Sequence, residues 1–489
     1  MTPTDEARVL DAVPTGLFIG GSWRPAATGA TLAVDDPATG KTLVEVSDAG
    51  AADGMDALAA ACAAQQPFAA MSPRDRGEIL RRAYELIMSR VDDLALLMTL
   101  EMGKPLAESK GEITYAAEFF RWFGEEAVRI GGGYAVAPAG TSRFMVLKQP
   151  VGVCLLITPW NFPMAMGTRK IGPAIAAGCA MVVKPSELTP LTMHALAAIL
   201  AEAGLPDGVL NVVTTSDAGG VMEPLIRDGR ARKLSFTGST PVGKLLLEQA
   251  SEKVLRTSME LGGNAPFLVF DDADLDKAVE GAMQAKMRNM GEACTAANRF
   301  LVHRSVAPAF ADRLAERMGS LVVGRGTEDG VQVGPLIDAK GRDKVVTLVR
   351  DALDKGATVK IGADPGAGPG FFYPPTVLVD VPLAARLSHE EIFGPVAAIT
   401  VFDDERDAVA AANDTEFGLV SYLFTENLTR ALRVSERLES GMVGLNTGLV
   451  SNPAAPFGGI KESGLGREGG RVGIEEFLET KYVAIGFAG

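Results

Sequence analysis

Cys294 is the residue of this chain whose surroundings most suit a nucleophile. It lies in 286–299 (KMRNMGEACTAANR), with Gly291 before it and small residues around it, between a helical and a strand-like segment. A polar, flexible setting keeps a thiol accessible, and its thiolate attacks carbonyl carbon. The competing reading is a small buried hydrophobe, the fate of most lone cysteines. Glu260 follows a strand-like run and opens ELGG. Two glycines there allow close packing around a carboxylate, which takes a proton from a thiol or a water when its pKa is raised. A capping or salt-bridged acid is the bland alternative. Asn161 sits in TPWNFP (158–163), a rigid loop after an apolar strand. Its amide can donate to a developing oxyanion, or simply shape a turn. Lys184 closes a short strand before Pro185. An ammonium at the carboxyl end of a parallel strand reaches cofactor hydroxyls, although a surface lysine reads the same way.

Two phosphate-loop patterns do not carry that chemistry. Gly464–Gly469 fits GxGxxG, but PFGGIKES precedes it where a strand is required. Gly238–Lys244 (GSTPVGK) imitates a P-loop, yet Leu245 stands where Ser or Thr must reach magnesium. The better reading of 234–243 (LSFTGSTPVG) is a strand, a tight turn at Gly238, and a helix capped by the Ser239 and Thr240 hydroxyls. Amides at such a terminus suit a dinucleotide phosphate, or belong to an ordinary capped turn.

These groups need a frame. Residues 17–48 read as hairpins at an edge, and 50–130 as helices on apolar spacing. Residues 131–150 break that pattern and read as a two-stranded arm. A βα rhythm follows: strand 151–158, helix 168–178, strand 180–184, helix 190–203, and strands 210–213 and 233–236. A second rhythm runs through strand 266–270, helix 274–290, strand 299–303, helix 305–319, strand 396–402 and helix 405–413. Near-continuous apolar strands alternating with helices argue parallel sheets covered on both faces. The tail 478–489 is extended and suits an added strand.

The 489 residues exceed a single core, so two or more domains are expected. Lys and Arg total 47 against 61 Asp and Glu, a net charge of −14, which disfavours a nucleic-acid surface. Cys62, Cys154, Cys179 and Cys294 form no CxxC, and His194, His303 and His389 form no cluster. Reduced thiols in a cytoplasmic setting and no metal site are expected. The N-terminus lacks an apolar signal core, and no spanning run is present.

The motifs TPWNFP (158–163), KPSELTP (184–190), FTGST (236–240), MELGG (259–263), the segment around Cys294, EEIFGP (390–395) and PFGGIKESGLGREGG (456–470) occur in one order. On them the chain resembles the aldehyde dehydrogenase superfamily over essentially its full length. The resemblance implies an α/β fold with a parallel-sheet cofactor domain, an α/β catalytic domain and a small β oligomerisation arm. The boundaries expected are 1–130 with 151–260, then 261–462, then 131–150 with 463–489. It implies Cys294 as nucleophile, Glu260 as general base, and Asn161 with the Cys294 amide as oxyanion hole. Thr158, Pro159 and Trp160 would line the cofactor site. Lys184 and Glu187 would hold the adenosine ribose, Ser239 the pyrophosphate, and Glu391 and Phe393 the nicotinamide end. Homodimers or homotetramers are the family habit.

RNxGxxC at 288–294, TRK at 168–170 and NTGLVSNPAAPFGGIK at 446–461 are similar to the succinate-semialdehyde branch. The resemblance implies Arg169, Arg288 and Ser451 on the distal carboxylate of the substrate. An arginine fork suits that task, and a local cationic pocket is needed in so acidic a chain. The alternative is that either arginine pairs with a structural acid. Glutarate semialdehyde, one methylene longer, is a competitor, since a methylene discriminates by only about 1–3 kcal/mol. Other small aldehydes, CoA acylation and a non-catalytic cofactor-binding protein are further alternatives. The chain departs from the family pattern at Glu292, where many members have Gln, and at Ala296, where some have a second Cys, so no disulfide switch is expected. NAD and NADP are both candidate cofactors. Glu187 leans towards NAD, because it would repel a 2′-phosphate.

Overall fold

The computed structural model describes residues 2–366 and 368–486. The fully apolar runs become central strands. Cys154–Ile157, Met181–Lys184 and Lys233–Thr237 are buried at every residue. Successive side chains leave a strand on opposite faces. Leu155, Val182 and Leu234 therefore enter one apolar layer, and Leu156 and Val183 enter the other, with Phe119, Phe120 and Phe123.

These strands belong to an eight-stranded sheet, in the order Ser22–Arg24, Leu17–Ile19, Leu210–Val212, Met181–Lys184, Cys154–Ile157, Lys233–Thr237, Arg256–Glu260 and Gly464–Leu465. Its five central strands are parallel, and the outer ones antiparallel. A seven-stranded sheet follows the same logic, in the order Thr358–Ile361, Thr376–Val379, Val396–Phe402, Ala297–His303, Ala265–Val269, Val420–Phe424 and Met442–Leu445. All its pairings are parallel except that of the first edge strand. Phe267 and Phe300 pack on one of its faces, Leu268 and Leu301 on the other. Both sheets are thus covered on both sides, as the apolar strands require.

The arm is a third, three-stranded sheet. Gly133–Val136 and Ser142–Pro150 pair as a hairpin, and Leu478–Gly486 adds antiparallel to the longer strand. The tail therefore does contribute a strand; its residues 487–489 lie outside the described residues. Gly464–Leu465, in the segment expected to belong with arm and tail, instead extends the first sheet beside Glu260. Among the described residues only a short 3-10 helix, Arg471–Phe477, follows it and no α-helix, so the GxGxxG pattern is not a dinucleotide turn.

Four α-helices fall outside the sequence-based pattern: Pro3–Ala12, Ala218–Asp228, Ala339–Asp354 and Leu428–Arg437. Each begins at a side-chain cap, from Thr2, Asp217, Asp338 and Asn427. Such caps satisfy amides that the first helical turn leaves without partners. The helix expected at 274–290 stops at Met287, and Asn289 and Met290 follow with φ of 52° and 53°. That reversal turns the chain into the loop that carries Cys294.

Candidate active site

The carboxyl ends of the parallel strands in the first sheet open on a cavity of about 590 Å³. Open α/β sheets place ligands at this edge. The cavity wall brings together Pro159, Trp160, Asn161, Glu187, Ser239, Glu260, Cys294, Glu391 and Phe393. They come from segments more than 200 residues apart in the sequence. Thr158 and Lys184 stand behind the wall. The Thr158 amide donates to the Lys184 carbonyl at 3.1 Å, and the Lys184 ammonium pairs with Glu187 at 2.9 Å.

Cys294 lies between the helix Leu275–Met287 and the strand Ala297–His303. Two glycines let its loop pack this closely. A Cβ on Gly263 would meet the Cys294 carbonyl oxygen at 2.5 Å, and one on Gly291 would meet the Gly394 carbonyl at 2.3 Å. ELGG is thus built for close approach, as its glycines imply. Desolvation pushes the Cys294 thiol up to about 12, with the charges of Arg169 and Arg288 opposing the rise. A thiol in this state needs a base to become a nucleophile.

Glu260 ends its strand with a buried carboxyl whose Oε2 has no hydrogen-bond partner. Burial first, and then the nearby Glu468 charge, push it well above the carboxylate range, while Arg169 and Lys170 pull it down. Asn161 is buried, and its Nδ2 donates to the Glu292 carbonyl at 3.0 Å. Glu391 accepts the Gly263 amide at 3.1 Å, and burial raises it to about 7. Phe393 adopts φ of 56° and meets the Trp160 ring edge-on at 5.4 Å.

Ser239 corrects one expectation. It holds the N-cap position of Thr240–Ser251 but makes no side-chain cap bond. Thr240 does not cap either; its hydroxyl donates to the Glu462 carbonyl at 3.2 Å. Ser239 instead lines the cavity.

Beyond Phe162 lies a second cavity of about 630 Å³, which holds Arg288 and Ser451 along with Lys104, Glu108 and Tyr115. Arg288 donates to the Ser451 hydroxyl at 3.1 Å and packs over the rings of Phe162 and Tyr115. Arg169 is placed differently. It is buried in the helix Ala165–Ala177, pairs with Glu468 at 3.0 Å and lies 3.8 Å over the Phe457 ring. Its Nη2 has no hydrogen-bond partner. The two arginines therefore do not form one symmetric fork, because Glu468 holds one side of Arg169.

Glu468 and Lys170 are site residues that motif reading missed. Glu468 is buried and pairs with both Arg169 and Lys170. It stands inside the discounted GxGxxG pattern. Glu292, the departure from the family pattern, is buried; Oε1 accepts the Ile337 amide at 3.1 Å, and Oε2 has no partner. Burial raises it well above the carboxylate range, and the Ile337 amide opposes the rise. Among the described residues there is no group of three or more His, Cys, Asp or Glu able to hold a metal, and no helix long and apolar enough to cross a membrane.

A deep cavity at strand ends, with a thiol, a buried acid and a carboxamide on its wall, defines a thiol-dependent aldehyde-oxidising class. The chain belongs to the aldehyde dehydrogenase family, whose model matches residues 23–483. It is 60% identical over 443 residues to the succinate-semialdehyde dehydrogenase of Paenarthrobacter nicotinovorans, a match covering 91% of this chain and 98% of the relative. It is 51% identical over 469 residues to the glutarate-semialdehyde dehydrogenase of Pseudomonas aeruginosa, covering 96% and 97%. Among solved structures, an E. coli NADP dependent enzyme superposes with a TM-score of 0.96 at 50% identity, covering 98% of this chain and 99% of that one.

Proposed function

We propose that the protein oxidises succinate semialdehyde to succinate with NAD or NADP. The observation that carries this reading is the Arg288–Ser451 pair, beyond Phe162 in the second cavity. The charge of Arg288 also reaches the Cys294 thiol. A short aldehyde with a distal carboxylate would place its carbonyl at the thiol and its anion at the guanidinium. The unpartnered Nη2 of Arg169 supplies a second cationic edge.

The Cys294 thiol gives up its proton to Glu260, directly or through water, and the thiolate forms a C–S bond to the aldehyde carbon. The Asn161 amide and the Cys294 backbone N–H donate to the oxygen that becomes negative. A bound nicotinamide cofactor would supply the hydride acceptor; the C–H bond of the adduct breaks as its oxyanion re-forms C=O, which leaves Cys294 as a thioester. Glu260 passes the thiol's proton to solvent and then removes a proton from water, the hydroxyl adds to the carbonyl carbon, and the same donors hold the second oxyanion. The C–S bond breaks, the thiolate takes the proton back from Glu260, and the carboxylic acid is released. Burial and then the Glu468 charge raise the proton affinity of Glu260, and the charges of Arg169 and Lys170 lower it.

The residues present fit the cofactor. The cavity lies at the carboxyl ends of parallel strands, Ser239 leaves the helix cap free, and the Lys184–Glu187 pair stands at its edge. In this reading Lys184 and Glu187 hold the adenosine ribose, Ser239 the pyrophosphate, and Glu391 the nicotinamide ribose, while Thr158, Pro159, Trp160 and Phe393 shape the walls. Glu187 favours the free hydroxyls of NAD, and its pairing with Lys184 tempers the repulsion of a 2′-phosphate. The first sheet serves as the cofactor unit, the second carries the nucleophile, and the arm joins copies into a homodimer or homotetramer.

Glutarate semialdehyde is the second reading. The 630 Å³ cavity has room for another methylene, and a relative bears that name. A matrix of succinate semialdehyde, glutarate semialdehyde and butanal against NAD and NADP tests the proposal. Butanal with a kcat/KM equal to that of the semialdehydes would refute the carboxylate clamp.

A further inference from the structure

The nucleophile loop and the Asn161 loop lie far apart in the sequence and are tied together by one side chain. Asn289 Nδ2 donates to the Asn161 carbonyl at 3.0 Å and to the Glu292 carbonyl at 3.0 Å. The Asn161 Nδ2 donates to that same Glu292 carbonyl at 3.0 Å. A carbonyl oxygen only accepts, so both carboxamides must present nitrogen here. An amide NH₂ carries two hydrogens. With one of them held by Glu292, the second hydrogen of Asn161 has a set direction.

The backbone around Asn289 is bent to make this tie. Asn289 and Met290 both occupy the left-handed region, which non-glycine residues rarely adopt in succession. The bend is held by Glu108, whose Oε2 accepts the Asn289 amide at 2.6 Å. From the other side, the buried Lys104 ammonium donates to the Asn161 carbonyl at 2.8 Å and pairs with Glu112. Glu112 in turn accepts the Met164 and Ala165 amides at 3.1 and 3.2 Å, at the head of the helix that carries Arg169 and Lys170. An outlying backbone over-determined by its neighbours, next to a reacting group, is a reason to look for function.

We propose that Asn289 is a positioning residue for the oxyanion hole: it clamps the Asn161 loop onto the Cys294 loop, with Lys104 as the second anchor. This rests on the reading that Asn161 donates to the oxyanion. The Asn289 side chain touches neither substrate nor cofactor; it acts through Asn161. Because the same hole serves both oxyanions, loosening it slows thiol addition and thioester hydrolysis together.

The test is a double-mutant cycle on the full-length enzyme with semialdehyde and NAD(P). Asn289→Gly keeps the left-handed turn and removes the clamp; Asn289→Asp keeps the shape but leaves at most one O–H to serve two carbonyls. Each is expected to lower kcat about 10–100-fold, the range for a displaced oxyanion donor, while KM and the Kd for NAD(P) stay within about threefold. Asn161→Ala alone is expected to be slower still. The double variant Asn161→Ala/Asn289→Gly should be no slower than Asn161→Ala, because the clamp has nothing left to position. Multiplying effects, or a fall in Tm and Kd that accounts for the lost rate, overturn the proposal. If Asn161→Ala itself leaves kcat unchanged, the oxyanion reading fails first, and the cycle shows which of the two was wrong. Asn289→Asp keeps the test available should the glycine variant not fold. Lys104 is left intact, since removing it would strand buried Glu112.

Discussion

The two cavities that flank Phe162 are nearly equal in volume, about 590 and 630 Å³, and are built in opposite ways. On the Cys294 side the walls are strand ends and tight turns. Glycines bring backbone to backbone there; Glu260 ends a strand, and Glu391 stands in the turn between the 3-10 helix Arg386–Ser388 and the strand Val396–Phe402. On the far side the walls are side chains borne by helices and loops: Lys104, Glu108, Tyr115, Arg288 and Ser451. The first kind of wall changes only if the sheet changes. The second can be altered one side chain at a time. On the proposed function, the difference teaches where chemistry and specificity reside: the reaction is tied to the frame, and the choice of aldehyde to its attachments.

That division can be broken by experiment, the largest effect first. Cys294→Ser should lower turnover at least ~10³-fold, because a hydroxyl is the far weaker nucleophile, while NAD(P) binding by calorimetry stays intact. Loss of both would show that the thiol also holds the cofactor cavity together. Arg288→Ala should cost about 10–100-fold in kcat/KM for the semialdehydes, in line with a lost charge-assisted hydrogen bond, and leave butanal nearly unaffected. An equal loss for butanal would place Arg288 in the frame rather than in specificity.

Glu468→Gln tests the charge network. The Glu468 charge raises Glu260, and Arg169 and Lys170 lower it. Without that anion the Glu260 carboxylate is less repelled, and the two cations are freed to stabilise it. Its pKa falls, so the rising limb of the rate against pH should move to lower pH. A shift to higher pH would assign the limb to another group. The smallest effect belongs to Glu187, half-exposed at the cavity edge. Glu187→Gln should improve NADP relative to NAD by about two- to fivefold in kcat/KM, the scale of a screened surface charge. An unchanged ratio would remove Glu187 from cofactor selection.

The same contrast governs what could be read in advance. The strands around Leu155, Val182 and Phe267 were legible because burial on both faces demands apolar runs. The strand-end groups Asn161, Glu260 and Cys294 were legible because short motifs hold them in tight turns. The helix Ala339–Asp354 was not anticipated, although the sequence carries its signals: Asp338 at the N-cap, and Val345, Leu348, Val349 and Ala352 at helical spacing. Lys104, Glu112 and Glu468 gave no local sign at all. A buried charge is compensated by partners from other segments, here Asn161, Met164 and Lys170, and such pairing exists only once the chain has folded. Arg169 shows the same limit: its motif pointed to the site, but only the fold revealed that Glu468 occupies one side of it.

The position of Glu468 has a temporal consequence. Ribosomes deliver chains from the amino end, and domains fold as they emerge. Asn161, Arg169, Lys170, Glu260 and Cys294 are all made before Glu468, the acid that pairs with Arg169 and Lys170. Until the strand Gly464–Leu465 docks beside Glu260, the nascent enzyme holds two buried cations without their counter-ion. A nascent chain lacking that strand should therefore resist closing its first sheet, and competence should arrive as a late, single event in synthesis.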